Sequence, residues 1–198
     1  MLRESDEALL ERIVLGDGDE PAFGELYRRY NRDIYRFAYG MCGAAWIAED
    51  CTQDVFLGML ERGAGYRRFN GSLRAWLYGI ARHKVIDRLR QRGRLEFGFD
   101  PSHVGDDSQG PDQYVVSHRR VDDLRRAIVA LPIRYREVIV LCELEELSYA
   151  DAAGMLDCPV GTVRSRLHRA RGMLAKKLRS GAHVVTRTML VDGKLGEG

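Results

Sequence analysis

Long apolar runs are missing from this chain. No stretch of about 18 apolar residues occurs in its 198 positions, so nothing reads as a membrane-inserting segment. The opening MLRESDEALLERIVL is charged and amphipathic and lacks the uninterrupted apolar core of a secretion signal, which predicts an unanchored, cytoplasmic protein. Cysteine is sparse, and Cys42, Cys51, Cys142 and Cys158 show no CxxC spacing. In a reducing compartment they are expected to be buried small apolar groups, with no metal site. There is no nucleophile elbow, phosphate-cradling loop or paired metal-ligand spacing, so neither an enzyme nor a cofactor is expected. No alternating strand pattern of convincing length occurs either.

Helical periodicity is what the chain does have. Leu9, Leu10, Ile13 and Val14 make a short apolar face that stops at Gly16, and Pro21 fits the first turn of the next helix. Phe23, Leu26, Tyr27, Tyr30, Ile34, Phe37 and Ala38 then recur at spacings of three and four. Further helices are expected over 48–60, 73–92, 121–131 and 133–143, and two more between Ser148 and Arg179. Residues 93–118 break the rhythm with Gly93, Gly98, Pro101, Gly105, Gly110 and Pro111, among Asp100, Asp106, Asp107 and Asp112. That composition predicts a flexible linker. The expected architecture is all-α, with two small helical domains over 1–95 and 119–180, a linker over 96–118 and a fraying tail over 181–198.

Charge is segregated along this plan. Lys and Arg total 31 against 29 Asp and Glu, yet residues 1–60 carry 6 basic and 12 acidic groups, 61–99 carry 10 and 3, 100–118 carry 0 and 4, and 119–180 carry 13 and 8. An acidic region beside two basic ones suits a protein with one cationic partner surface and one polyanion.

The stretch from Ser148 to Leu167 is the most informative. Ser148 and Asp151 form a capping box, so a helix starts at Tyr149, with the small Ala152 and Ala153 letting a second helix cross closely. Asp157 sits where a left-handed residue is needed, and Pro159 fits the first position of the second helix. Val163 and Leu167 turn that helix inward, leaving Thr162, Arg164, Ser165, Arg166, His168, Arg169 and Arg171 as candidate contacts to duplex DNA. Seven Lys and Arg and no acid lie between Val160 and Arg179. Guanidinium forks match guanine edges and phosphates, so this face suits the major groove better than solvent alone.

A second basic block interleaves Tyr66, Phe69, Trp76 and Tyr78 with Arg67, Arg68, Arg74, Arg82, Lys84, Arg88, Arg90 and Arg92. Cations that follow a backbone beside aromatic groups suit single-stranded DNA. Aromatics at helical spacing also suit a core, which is the reading for Trp76 and Leu77. Candidate contacts to a single strand are therefore the loop Arg67, Arg68, Phe69, Asn70, Gly71 and Ser72, with Arg82, Lys84 and Arg88 on the helix that follows. His83 lies beside phosphate or packs, since it has no metal-ligand partner at i+4.

Together these blocks resemble an extracytoplasmic-function sigma factor of the sigma-70 family. Ala48-Glu-Asp-Cys-Thr-Gln-Asp-Val-Phe is similar to that family's polymerase-binding helix, and Trp76-Leu-Tyr-Gly-Ile-Ala-Arg-His with Asp87 and Arg88 to its −10 helix. Leu131-Pro, Arg136-Glu-Val and Cys158-Pro-Val-Gly-Thr-Val-Arg-Ser-Arg-Leu-His-Arg-Ala-Arg resemble its −35 domain. The chain departs from the family at Asp157, where Gly is usual, and at His83, where Asn is usual.

The resemblance implies a transcription initiation factor without chemistry of its own. Glu49, Asp50, Gln53, Asp54, Phe56 and Leu57 would dock on the clamp of the largest subunit of core RNA polymerase, unless Phe56 belongs to the core. The second domain would meet the polymerase flap and read the −35 duplex, while the first captures an unstacked base of the −10 element. An anti-sigma factor is an implied partner, and an obligate homodimer is not expected. Two rivals differ in class: a dimeric helix-turn-helix operator binder, which leaves the aromatic-basic loop unexplained, and an enzyme or redox sensor built on the cysteines and histidines.

Overall fold

Ser5 and Asp19 start the first two helices by accepting the backbone N–H groups of Ala8 and Ala22 at 3.2 and 3.0 Å. In a computed structural model of the protein, which describes residues 4–16, 19–68, 71–95 and 115–192, these helices are α1 (Asp6–Leu15) and α2 (Glu20–Cys42). Gly43 ends α2 at φ 69°, a left-handed conformation that only glycine adopts without strain, and its N–H bonds the Tyr39 carbonyl at 2.7 Å. There follow α3 (Ala45–Arg62), a 3-10 turn over Gly63–Arg68 and α4 (Leu73–Leu95).

Helices α2, α3 and α4 close around Leu26, Ile34, Phe37, Met41, Ile47, Cys51, Val55, Met59, Leu77 and Tyr78, all fully buried. Phe37 stacks on Tyr78 with ring centroids 5.1 Å apart. Each large apolar side chain buried this way contributes about 1.5–3 kcal/mol. Arg29 and Tyr30 donate to Asp6 and so hold α1 against α2.

The second unit comprises α5 (Val115–Val129), α6 (Ile133–Ile139), α7 (Tyr149–Met155) and α8 (Val160–Asp192). The expected helix 133–143 divides: α6 ends at Ile139 and a π turn covers Val140–Leu144, with the Glu145 N–H reaching back to Val140. Helix α5 begins before residue 119, inside the expected linker, and the remainder of that linker, 96–114, lies outside the described residues. Helix α8 continues to Asp192, past the expected end near Arg179. Its buried face is Val163, Leu167 and Ala170, and the helix packs against α5, α6 and α7. The two units touch, α2 against α5 and the π turn, and α4 against α7.

Cys42 and Cys51 are buried, as expected, whereas Cys142 and Cys158 are only half-buried. Among the described residues, no helix is long and apolar enough to cross a membrane, and no group of three or more His, Cys, Asp or Glu could hold a metal ion.

Candidate nucleic-acid and polymerase interfaces

The helix-turn-helix follows from local chemistry. Asp151 N–H donates to Ser148 Oγ at 3.0 Å, as a cap requires. The second half of the expected box differs: the Ser148 hydroxyl donates to Asp151 Oδ2 at 2.7 Å, so the carboxylate holds the capping hydroxyl instead of the backbone. Asp157 adopts φ 47°, the left-handed turn residue that the sequence calls for. Pro159 lies one residue before α8, and its carbonyl accepts the N–H groups of Thr162 and Val163.

Along α8 the inward stripe is Val163, Leu167 and Ala170, and the outward face exposes Arg164, Ser165, His168, Arg169 and Arg171. Thr162 and Arg166 are half-buried at its margins. Ser165 donates its hydroxyl to the Thr162 carbonyl at 3.0 Å. The Arg164 guanidinium lies 5.9 Å from the centre of the Tyr149 ring, and Arg171 pairs with Glu143 at 2.5 Å. Neither Tyr149 nor Glu143 was legible as part of this face, because both reach it from other elements.

Of the expected single-strand contacts, Phe69 and Asn70 lie outside the described residues, as do the side chains of Arg67 and Arg68. Gly71 and Ser72 are exposed at the start of α4, where Ser72 Oγ accepts the Ala75 N–H at 3.2 Å. Trp76 packs against the core with Tyr66 edge-on at 5.7 Å, in line with its core reading, and Tyr78 is buried outright. His83 is exposed, its Nδ1 2.7 Å from the Gly79 carbonyl. The basic groups of α4 do not form one open row. Arg82 donates to Glu137 of the second unit at 2.8 Å, Lys84 lies 3.7 Å from Asp54, and Arg88 donates to both Asp50 and Asp54.

On α3, Phe56 is 3% exposed and its ring lies 4.7 Å from that of Tyr27, so it is a core residue and no docking group. This corrects its assignment to the polymerase face: one turn of helix carries both Phe56 and Leu57, and the packing of α2 on α3 claims the first. Leu57 and Leu60 on α3 and Tyr27 on α2 are exposed. Glu49 is exposed, Asp50 is half-exposed and Asp54 is partly covered by Arg88, so the acidic groups are less open than their spacing suggests.

Comparison with known proteins places these surfaces in a family. Residues 26–95 match the model of sigma-70 region 2, and residues 122–174 match that of sigma-70 region 4. The chain is 34% identical to the ECF RNA polymerase sigma factor SigE of Mycolicibacterium smegmatis over 176 residues, which is 86% of this chain and 68% of the relative. It is also 34% identical to SigW of Bacillus subtilis, over 82% of this chain and 91% of that one. Among solved structures it resembles the sigma factor RpoE in complex with the anti-sigma factor NepR from Bartonella quintana, with TM-score 0.62 and 29% identity over 79% of this chain and 96% of that one. It likewise resembles CnrH in complex with the cytosolic domain of CnrY, with TM-score 0.64 and 25% identity over 89% and 99% of the two chains. The matched regions occur in the family's order on an all-helical fold whose helix-turn-helix carries a cationic outer face, and the chain belongs to the extracytoplasmic-function sigma factors of the sigma-70 family, which serve RNA polymerase in transcription initiation.

Proposed function

We propose that this sigma factor directs core RNA polymerase to promoters by reading the −35 element with α8 and holding the melted −10 strand with the start of α4 and the loop before it. The observation that carries this reading is the outer face of α8. Five exposed polar or cationic residues, Arg164, Ser165, His168, Arg169 and Arg171, stand at the front of a helix entered through a left-handed turn. That is the geometry in which a recognition helix enters the major groove. The first domain (1–95), which contains sigma-70 region 2 and is domain 2 of the factor, stabilises an unstacked base through Phe69, Asn70 and the neighbouring cations, with no covalent step. Glu49, Asp50, Gln53, Asp54 and Leu57 dock on the clamp of the largest polymerase subunit, where charge orients the encounter and Leu57 supplies apolar contact. The second domain (119–180), which contains sigma-70 region 4 and is domain 4 of the factor, meets the flap, and the factor acts in the cytoplasm. The relatives solved with anti-sigma factors support a partner of that kind here as well.

Run-off transcription with purified core polymerase tests the reading. Promoter-dependent transcripts are expected, and Asn70→Ala is expected to impair strand opening more than closed-complex formation. A premelted −10 bubble then restores much of the loss, since the few kcal/mol of unstacking are no longer required. Transcripts that do not depend on added sigma factor would overturn it.

A further inference from the structure

Tyr66 stands where three elements meet. From the 3-10 turn its ring packs edge-on against Trp76 of α4, with centroids 5.7 Å apart, and its hydroxyl lies 3.2 Å from the Gly71 carbonyl and 3.3 Å from Glu7 Oε1 of α1. The side chain is half-buried, and that burial, with the Glu7 carboxylate beside it, pushes the phenol above its ordinary range. The hydroxyl therefore keeps its proton. One proton serves two acceptors, so the bond to Gly71 and the bond to Glu7 compete.

The bond to Gly71 ties a segment at both ends. Gly71 directly precedes Ser72, whose hydroxyl oxygen and carbonyl accept the N–H groups of Ala75 and Trp76 at the start of α4. Tyr66 lies at the other end, five positions earlier, and between the two come Arg67, Arg68, Phe69 and Asn70. A short segment tied in this way has less conformational freedom to lose when it takes up a ligand.

The turn that carries Tyr66 is braced from behind. A Cβ at Gly63 would lie 2.7 Å from Val14 Cγ2 and 3.3 Å from Leu10 Cδ1, so α1 presses on the turn as closely as only glycine permits. Helix α1 is itself held to α2 by Arg29, which is 10% exposed and pairs with Asp6 at 2.5 Å and with Glu25 at 2.8 Å. The phenol ring thus has a fixed base while its hydroxyl reaches the far end of the loop.

We infer that Tyr66 is a positioning residue for the −10 contact: its hydroxyl holds the Gly71 carbonyl, so that the residues between meet an unstacked base in one preset arrangement. The inference rests on the reading in which Phe69 and Asn70 hold the melted strand. It goes beyond that reading by assigning the aim of the loop to a side chain that acts through Gly71 and not on DNA.

The test uses holoenzyme formed with the full chain, bound to promoter templates premelted over the −10 element. The templates differ by one −10 base at a time, and the strongest preference of the parent marks the captured base. Tyr66→Phe keeps the ring against Trp76 and removes the hydroxyl, and Glu7→Ala removes the competing acceptor. Phe69→Ala with Asn70→Ala serves as the reference for the loop. Tyr66→Phe is expected to lower the preference at the captured base about fivefold, the worth of one ordinary hydrogen bond, with little change on disfavoured bases. Its thermal melting and its core polymerase binding in a pull-down are expected to match the parent. Glu7→Ala leaves the proton to Gly71 and is expected to keep the preference.

A Tyr66→Phe chain that keeps the preference, or that weakens on every template alike, would overturn the inference, the second result marking Tyr66 as a packing residue only. Loss of preference in Glu7→Ala would also overturn it, since the effect would then come from the α1 contact. When these results come with a reference variant that has lost the preference, the reading of the loop stands. A reference variant that keeps the preference, or a parent without one, removes that reading and the inference with it.

Discussion

Arg88 donates to Asp54 Oδ2 at 3.1 Å and to Asp50 Oδ2 at 3.0 Å, joining a cation expected to face DNA to two carboxylates expected to face polymerase. The two proposed surfaces of domain 2 therefore share one partly exposed charge network across α3 and α4.

A charge swap is expected to separate stability from function in that network. Asp50→Arg with Asp54→Arg places two cations beside Arg88 and Lys84, yet exposed pairs are worth only about 0–1 kcal/mol, so helicity survives. Core polymerase binding is lost in a pull-down. Adding Arg88→Asp recovers thermal stability without recovering polymerase binding. Recovery of binding would show that the fold, and no surface contact, was what the carboxylates supplied.

On α8, Arg164→Ala and Arg169→Ala are each expected to cost about 1–3 kcal/mol on the cognate −35 sequence and to relax base preference there. Lys176→Ala weakens binding to every sequence alike and flattens the salt dependence. Holoenzyme binding to a −35 base-substitution series distinguishes these patterns. A uniform loss for the two arginine variants would make them phosphate contacts and put a different face of α8 in the groove.

Leu167, 2% exposed, ties α8 to the rest of domain 4. Leu167→Ala is expected to destabilise that domain by about 2–5 kcal/mol, measured by urea unfolding. A loss below about 1 kcal/mol would mean that the helix-turn-helix core repacks around the gap.

Burial pushes the Cys51 thiol up to about 11 and leaves it with no exposed surface. At about pH 8 the thiol is protonated and shielded, so iodoacetamide should modify Cys51 far more slowly in the native chain than in urea. Peptide mass spectrometry reads the ratio. Equal rates in the two states would show that α2 and α3 open readily around it.

Much of this protein was determined by its sequence alone. Ser5, Asp19 and Ser148 start helices wherever they stand, because a capping oxygen needs only the N–H groups two or three residues on. The left-handed Asp157 and the inward Val163 and Leu167 follow from spacing within one short segment, so the outward cationic face of α8 was readable before any tertiary contact was known. Only the tertiary structure decided the rest. Phe56 and Leu57 are equally apolar neighbours on α3, and the position of α2 buries one and exposes the other. Arg82 and Arg88 belong to one basic block, yet one meets Glu137, 55 residues on, and the other Asp54, 34 residues back. No local pattern encodes such pairs, because a charge on an exposed helix face has no preferred partner until packing brings one within hydrogen-bonding distance.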